Sequence, residues 1–132
     1  MSRLLLITHG DIGQSLLGQA EAVLGPLNLP VEVLSIPVGG DLQAAREAGS
    51  ALLVARRRDT VLVTDIFGAT PSNIARELAG DDVPVVHGLN LAMLLRAHCY
   101  AAYLPEKLAF MLVEGGRQSI FAGHEPPQDE HA

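Results

Sequence analysis

Two side chains in this sequence have the types and placement to act together as an oriented nucleophile: His9, in "ITHGDIGQSLLGQAEAVLG", and Asp65, in "VTDIFGATPSNIA". A carboxylate beside an imidazole can accept one ring N–H and fix the tautomer. The other ring nitrogen is then left as a nucleophile. Thr70 adds a hydroxyl where "TPSN" starts a helix. Gly10, Asp11, Ile12 and Gly13 follow His9 at the start of another helix. The free backbone N–H groups of such a helix start suit an anion, above all a phosphate, and Gly10 and Gly13 allow close backbone approach. Gly68 lies in the second loop and offers the same freedom. Each feature alone has a plainer meaning. A histidine at a strand end is commonly a surface residue, Asp65 suits a turn, and Thr70-Pro71 marks a helix start. Gly88 and Asn90 read as a turn and a cap. Their combination needs a fold that brings them together.

The elements that could do so alternate. Leu4–Ile7 is a continuous apolar run, as in a strand covered on both faces. Leu16, Leu17, Ala20, Val23 and Leu24 recur at helical spacing, and Gly25-Pro26 ends that helix. Val31–Ile36 is a second strand. Asp41 caps a helix expected to run to about Arg57. Val61–Val63 is a third strand, Thr70 with Pro71 caps and begins a helix, and Val83–Val86 is a fourth strand. Asn90 caps a helix to about Cys99, and a last helix from Pro105 stops at Gly115-Gly116. Ser119–Ala122 suits a short final strand, and 124–132 reads as a disordered tail. The expected architecture is one domain over 1–123, a three-layer α/β/α fold on a parallel sheet. In the common order 2-1-3-4, the first and third strands are neighbours. His9 and Asp65 would then face each other at the carboxyl ends, where such sheets bind ligands.

Composition narrows the classes. The chain has 132 residues, 48% of them apolar, a net charge of −6, no tryptophan and one cysteine. An acidic chain gives no broad attraction for nucleic acid or an anionic membrane. The basic run Arg56–Arg58 reads as complementing the end of the helix before it. Cys99 reads as a small buried residue, and it excludes an internal disulfide. No signal segment or membrane span is expected, so the chain reads as soluble and cytoplasmic. There is no GxxxxGK[ST], GxGxxG or GxSxG, and no metal-ligand spacing. No cofactor or metal is therefore expected, and a phosphoryl group on His9 would have to come from another phosphorylated protein. His87 lies near the same rim and is the next candidate. His98, His124 and His131 are assigned no chemistry.

"ITHGDIGQSLLGQAEAVLG", "VTDIFGATPSNIA" and "GLNLAMLLRA" together resemble the IIA component of the mannose family of the bacterial phosphoenolpyruvate-dependent sugar phosphotransferase system (EIIA-Man type), over roughly residues 4–121. The resemblance implies a phosphohistidine carrier. The phosphocarrier protein HPr would phosphorylate His9, which would pass the group to a IIB component, with Asp65 orienting His9 and Thr70 beside the phosphate. It also implies a homodimer in which a C-terminal strand, here Ser119–Ala122, crosses to the partner as an antiparallel edge. Contact with the membrane would be only indirect, through a permease. No linker to a fused IIB domain follows the domain, so a separate transporter subunit and a regulatory phosphocarrier both remain open. Two further readings are a phosphotransfer subunit of a dihydroxyacetone kinase and a non-catalytic regulatory binding domain.

Overall fold

A computed structural model describes residues 1–128. The elements are β1 (Arg3–His9), α1 (Ile12–Leu24), β2 (Val31–Ile36), α2 (Leu42–Val54), a short 3₁₀ turn (Arg57–Asp59), β3 (Thr60–Thr64), α3 (Thr70–Ala79), β4 (Val85–His87), α4 (Leu91–Cys99) and α5 (Pro105–Gln118). The four strands form one parallel sheet in the order β2-β1-β3-β4. Because side chains alternate across a strand, β1 feeds two cores. Leu4 and Leu6 pack with Val61, Val63, Leu94, Leu108 and Leu112 beneath α1, α4 and α5. Leu5 and Ile7 pack with Leu62, Ile74, Ala75 and Leu53 beneath α2 and α3. This is the three-layer α/β/α arrangement expected from the alternation of elements.

The strands extend beyond their apolar runs. The first reaches Arg3, whose buried guanidinium donates to Thr60 Oγ1 and the Leu52 carbonyl and meets Glu32 at 3.3 Å. Asp41 and Asn90 cap α2 and α4 through their side chains, as expected. Several other expectations are corrected. Helix α2 stops at Val54, and Arg57 of the arginine run serves a different helix. Arg57 donates to the Leu78 and Ala79 carbonyls at the end of α3, and it pairs with Asp82. The fourth strand starts at Val85, not Val83. Cys99 is exposed rather than buried, because it falls on the outer face of α4. Gly115 and Gly116 do not stop α5. They are buried inside it, where a Cβ would come within 2.8 Å of Arg96 Nε and 2.7 Å of Met93 Cε. They are small because α4 packs so closely.

After α5 the chain from Ser119 to Ala122 is irregular, with Ile120 and Phe121 exposed. Among the described residues there is no fifth strand. Residues 124–128 are exposed irregular chain, and the remainder of the expected tail, with His131, lies outside the described residues. Among the described residues no helix is long and apolar enough to cross a membrane.

Candidate phosphoryl-transfer site

The sheet order sets β1 between β2 and β3, and Ile7 pairs in register with Thr64. The two chains therefore leave the sheet side by side, and His9 and Asp65 meet. Asp65 Oδ2 lies 2.7 Å from His9 Nδ1 and also accepts the His9 backbone N–H at 3.0 Å. Asp65 Oδ1 accepts the Ile66 N–H at 3.1 Å. The Asp65 side chain is 9% exposed and the His9 ring 36%. Burial pushes the Asp65 carboxyl upward, but the His9 backbone N–H, the His9 ring and its charge outweigh it and hold the group below the usual carboxylate range. An ionised carboxylate only accepts hydrogen bonds. The proton between the two side chains therefore sits on Nδ1, and in the neutral ring Nε2 carries the lone pair. Among the described residues Nε2 has no hydrogen-bond partner.

His9 and Thr70 line a cleft of about 290 Å³ whose other wall is Ile36 and the loop from Pro37 to Leu42. That loop turns through Gly39, which has φ +72°. Thr70 does not cap α3. Ala69 holds the cap position without a side-chain bond, and Thr70 is the first helical residue. Its hydroxyl thus makes no hydrogen bond among the described residues and is available to a ligand.

The glycine amides are differently disposed. The Gly10 N–H goes to the Ile36 carbonyl, the Gly13 N–H to Thr8 Oγ1 and the Gly68 N–H to Ser72 Oγ. Gly10 and Gly68 turn the chain at φ +43° and +88°. Gly13 is small because a Cβ there would meet Thr8 Oγ1 at 2.9 Å and Val33 at 3.1 Å. Among the described residues the amides of Asp11, Ile12 and Thr70 have no hydrogen-bond partner, and neither do those of Gln14, Phe67, Ala69 and Ser72. Thr8 and Ser72, which fix these two loops, carried no local signal in the sequence. Nor did the apolar residues Val38 and Leu42 on the cleft.

His87 is not on this cleft. Its Nδ1 lies 2.7 Å from Thr64 Oγ1, and its ring meets Phe67 edge-on. Burial, with Arg76 nearby, lowers its pKa and favours the neutral ring. His98 Nδ1 accepts the Asn28 N–H, far from His9 along the sheet.

Comparison with known proteins agrees with this architecture. No curated protein matches the chain. Among solved structures, the mannose/sorbose-specific IIA subunit of the phosphotransferase system from Enterococcus faecalis superposes with a TM-score of 0.82 at 25% identity. The match covers 97% of this chain and 98% of that one. The phosphotransferase system component EIIA from Streptococcus agalactiae gives 0.80 at 22%, covering 92% and 97%. The IIA protein associated with the fucose utilization operon of Streptococcus pneumoniae gives 0.70 at 22%, covering 92% and 93%. The model of the EIIA-man family, described as PTS system fructose IIA component, matches residues 3–109. The chain belongs to that family and is a component of the phosphotransferase system.

Proposed function

We propose that the chain is a cytoplasmic phosphohistidine carrier that accepts a phosphoryl group from phospho-HPr on His9 and passes it to a IIB component. The observation that carries this reading is the 2.7 Å contact between Asp65 Oδ2 and His9 Nδ1, which leaves Nε2 unpartnered beside a cleft. In the forward step His9 Nε2 attacks phosphorus. The P–N bond to the HPr histidine breaks, and its electron pair returns to that imidazole. The His9 ring gains positive character while Nδ1 keeps its proton, and the Asp65 carboxylate stabilises that charge. The Thr70 hydroxyl and the amides of Asp11, Ile12 and Thr70 are the donors available to the moving phosphoryl oxygens. Their contribution is positioning and electrostatics. Transfer to IIB reverses the step toward a different histidine.

The same reading extends to assembly. Ile120 and Phe121 are exposed, and β4 has a free outer edge among the described residues. Ser119–Ala122 crosses to a second copy and pairs there, forming a symmetric homodimer.

The test is incubation with phosphoenolpyruvate, its enzyme I and HPr, followed by intact mass measurement. One phosphoryl increment is expected on the parent and none on His9→Ala. The bond should be acid-labile and base-stable, as a phosphoramidate is. Labelling that persists in His9→Ala would move the site, and no labelling of the parent would favour a non-catalytic binding domain.

A further inference from the structure

Asp65 is the first residue beyond β3, so its aim depends on how the last residue of that strand, Thr64, is held. Residues 87–89 hold Thr64 at two points. Its carbonyl accepts the Gly88 N–H at 3.0 Å and the Leu89 N–H at 2.9 Å, as the chain turns at Gly88 with φ +93°. Its side chain is fully buried, and Oγ1 lies 2.7 Å from His87 Nδ1. Thr64 and His87 are partners in the β3–β4 register, so their side chains leave the same face of the sheet. Thr64 Oγ1 has no other hydrogen-bond partner among the described residues. A buried hydroxyl whose proton met no acceptor would be costly. The Thr64 hydroxyl therefore donates, His87 Nδ1 accepts, and the proton of the neutral His87 ring sits on Nε2.

The His87 ring is kept in that orientation from the other side. It packs edge to face with Phe67, centroids 5.0 Å apart and planes at 88°, and the Arg76 guanidinium sits 5.3 Å from the Phe67 centroid. Burial and the Arg76 charge keep the imidazole neutral, so Nδ1 stays an acceptor. Phe67 lies two residues after Asp65, and Thr64 one residue before it. His87 thus touches the chain on both sides of the carboxylate, while it hydrogen-bonds neither His9 nor Asp65.

We propose that His87 is a positioning residue for the His9–Asp65 pair. By accepting the Thr64 hydroxyl and packing on Phe67, it holds the end of β3 where Asp65 Oδ2 meets His9 Nδ1. The Thr64 bond is the main tether, because it acts on the residue from which Asp65 departs. The consequence for phosphoryl transfer rests on the phosphocarrier reading; the consequence for the His9 ring does not.

The experiment compares His87→Ala, His87→Phe and His87→Asn in the full chain. Asparagine places an amide oxygen near the position of Nδ1, whereas phenylalanine keeps a ring but no acceptor. Nitrogen-15 NMR of the neutral His9 ring reports its tautomer with no partner protein present. Rapid-quench transfer from phospho-HPr reports the maximal rate and the half-saturating concentration. In His87→Ala and His87→Phe the His9 signals should shift away from the Nδ1–H tautomer. The maximal rate should fall about tenfold, with half-saturation within about twofold. His87→Asn should keep the parent tautomer and a rate within about threefold of the parent. That rescue should vanish in a Thr64→Val background, where the hydroxyl it serves is gone. Urea unfolding checks that each variant is folded. Arg3→Met, destabilised at the opposite end of β1, is the control and should leave the His9 signals in place. An unmoved tautomer in His87→Ala overturns the inference, and so does His87→Asn behaving no better than His87→Phe. A tautomer shift in Arg3→Met also overturns it, by making general destabilisation the cause. If the His9 signals move as expected yet the parent takes no phosphoryl group, the phosphocarrier reading fails and the positioning role stands. Normal labelling of His9 with an unmoved tautomer in His87→Ala gives the reverse.

Discussion

Replacing Asp65 with Asn tests how the carboxylate and the imidazole divide their work. Asp65 satisfies three N–H groups with two oxygens. Oδ2 takes the His9 backbone and ring donors, and Oδ1 takes the Ile66 N–H. Asparagine has one oxygen and one NH₂. With the oxygen toward His9, its NH₂ opposes the Ile66 N–H; turned the other way, it opposes two donors. The first orientation costs less, so the ring stays in place, Nδ1 keeps its proton, and the main loss is the negative charge behind it. A hydrogen bond to a charged group is worth about 1.5–3 kcal/mol. If that support is fully expressed only when the ring becomes positive in transfer, it converts at about 1.36 kcal/mol per decade. The single-turnover rate from phospho-HPr should then fall roughly tenfold to two-hundredfold, with the fold retained. The assay is rapid-quench transfer, alongside NMR assignment of the phosphorylated nitrogen. A parent-like rate in Asp65→Asn, or phosphate on Nδ1 of the parent, would refute the reasoning.

Thr70→Val removes a hydroxyl that no protein group uses, so thermal stability should hold while the transfer rate drops about tenfold; a matched loss of stability would show the hydroxyl to be structural instead. His87 has a lowered pKa from burial and Arg76, so the unfolded chain binds its proton first as pH falls below the ordinary value of about 6.5. Stability should therefore decline from neutral pH toward the lower folded pKa, and in His87→Gln denaturation curves should lose that part of the slope. Arg3→Met leaves the Leu52 carbonyl and the Glu32 carboxylate without their buried partner; urea unfolding should show a loss of about 1–3 kcal/mol. Ending the chain after Gln118 keeps α5 whole and removes the segment proposed to cross; if the proposal holds, light scattering should show a weakened dimer, and a monomeric full-length chain at micromolar concentration would refute the exchange.

What could be read from the sequence and what could not divide along a physical line. The His9–Asp65 contact was legible because it follows from topology. Apolar runs alternating with helical repeats give a parallel sheet, the strand order makes β1 and β3 neighbours, and each reactive residue ends its strand. The caps at Asp41 and Asn90 were legible because capping is settled within a few residues. The errors arose where a distant element decides. Gly115-Gly116 has the composition of a helix stop, yet α4 presses on it, so the same residues permit close packing within the helix. Arg57 follows α2 in sequence but closes α3 in space. The glycine amides read as an anion cradle, and Ile36, Thr8 and Ser72 have claimed them.

That last difference bears on how the site works. With the Gly10, Gly13 and Gly68 N–H groups engaged, the loops around His9 are pinned by internal hydrogen bonds before any phosphoryl group arrives. Gly10 ties the β1 loop to β2, and Ser72 ties the Asp65 loop to α3. The donors that remain, the Asp11, Ile12 and Thr70 amides and the Thr70 hydroxyl among them, are thus presented by a rigid frame. Such donors lower a barrier without reorganising at the moment of transfer. On the proposed carrier function, with the three glycine amides withdrawn, the phosphoryl group would be held loosely enough to leave. A carrier must both accept and release, so an anion site of full strength would trap the group on His9, and the engaged glycines would favour transfer over storage.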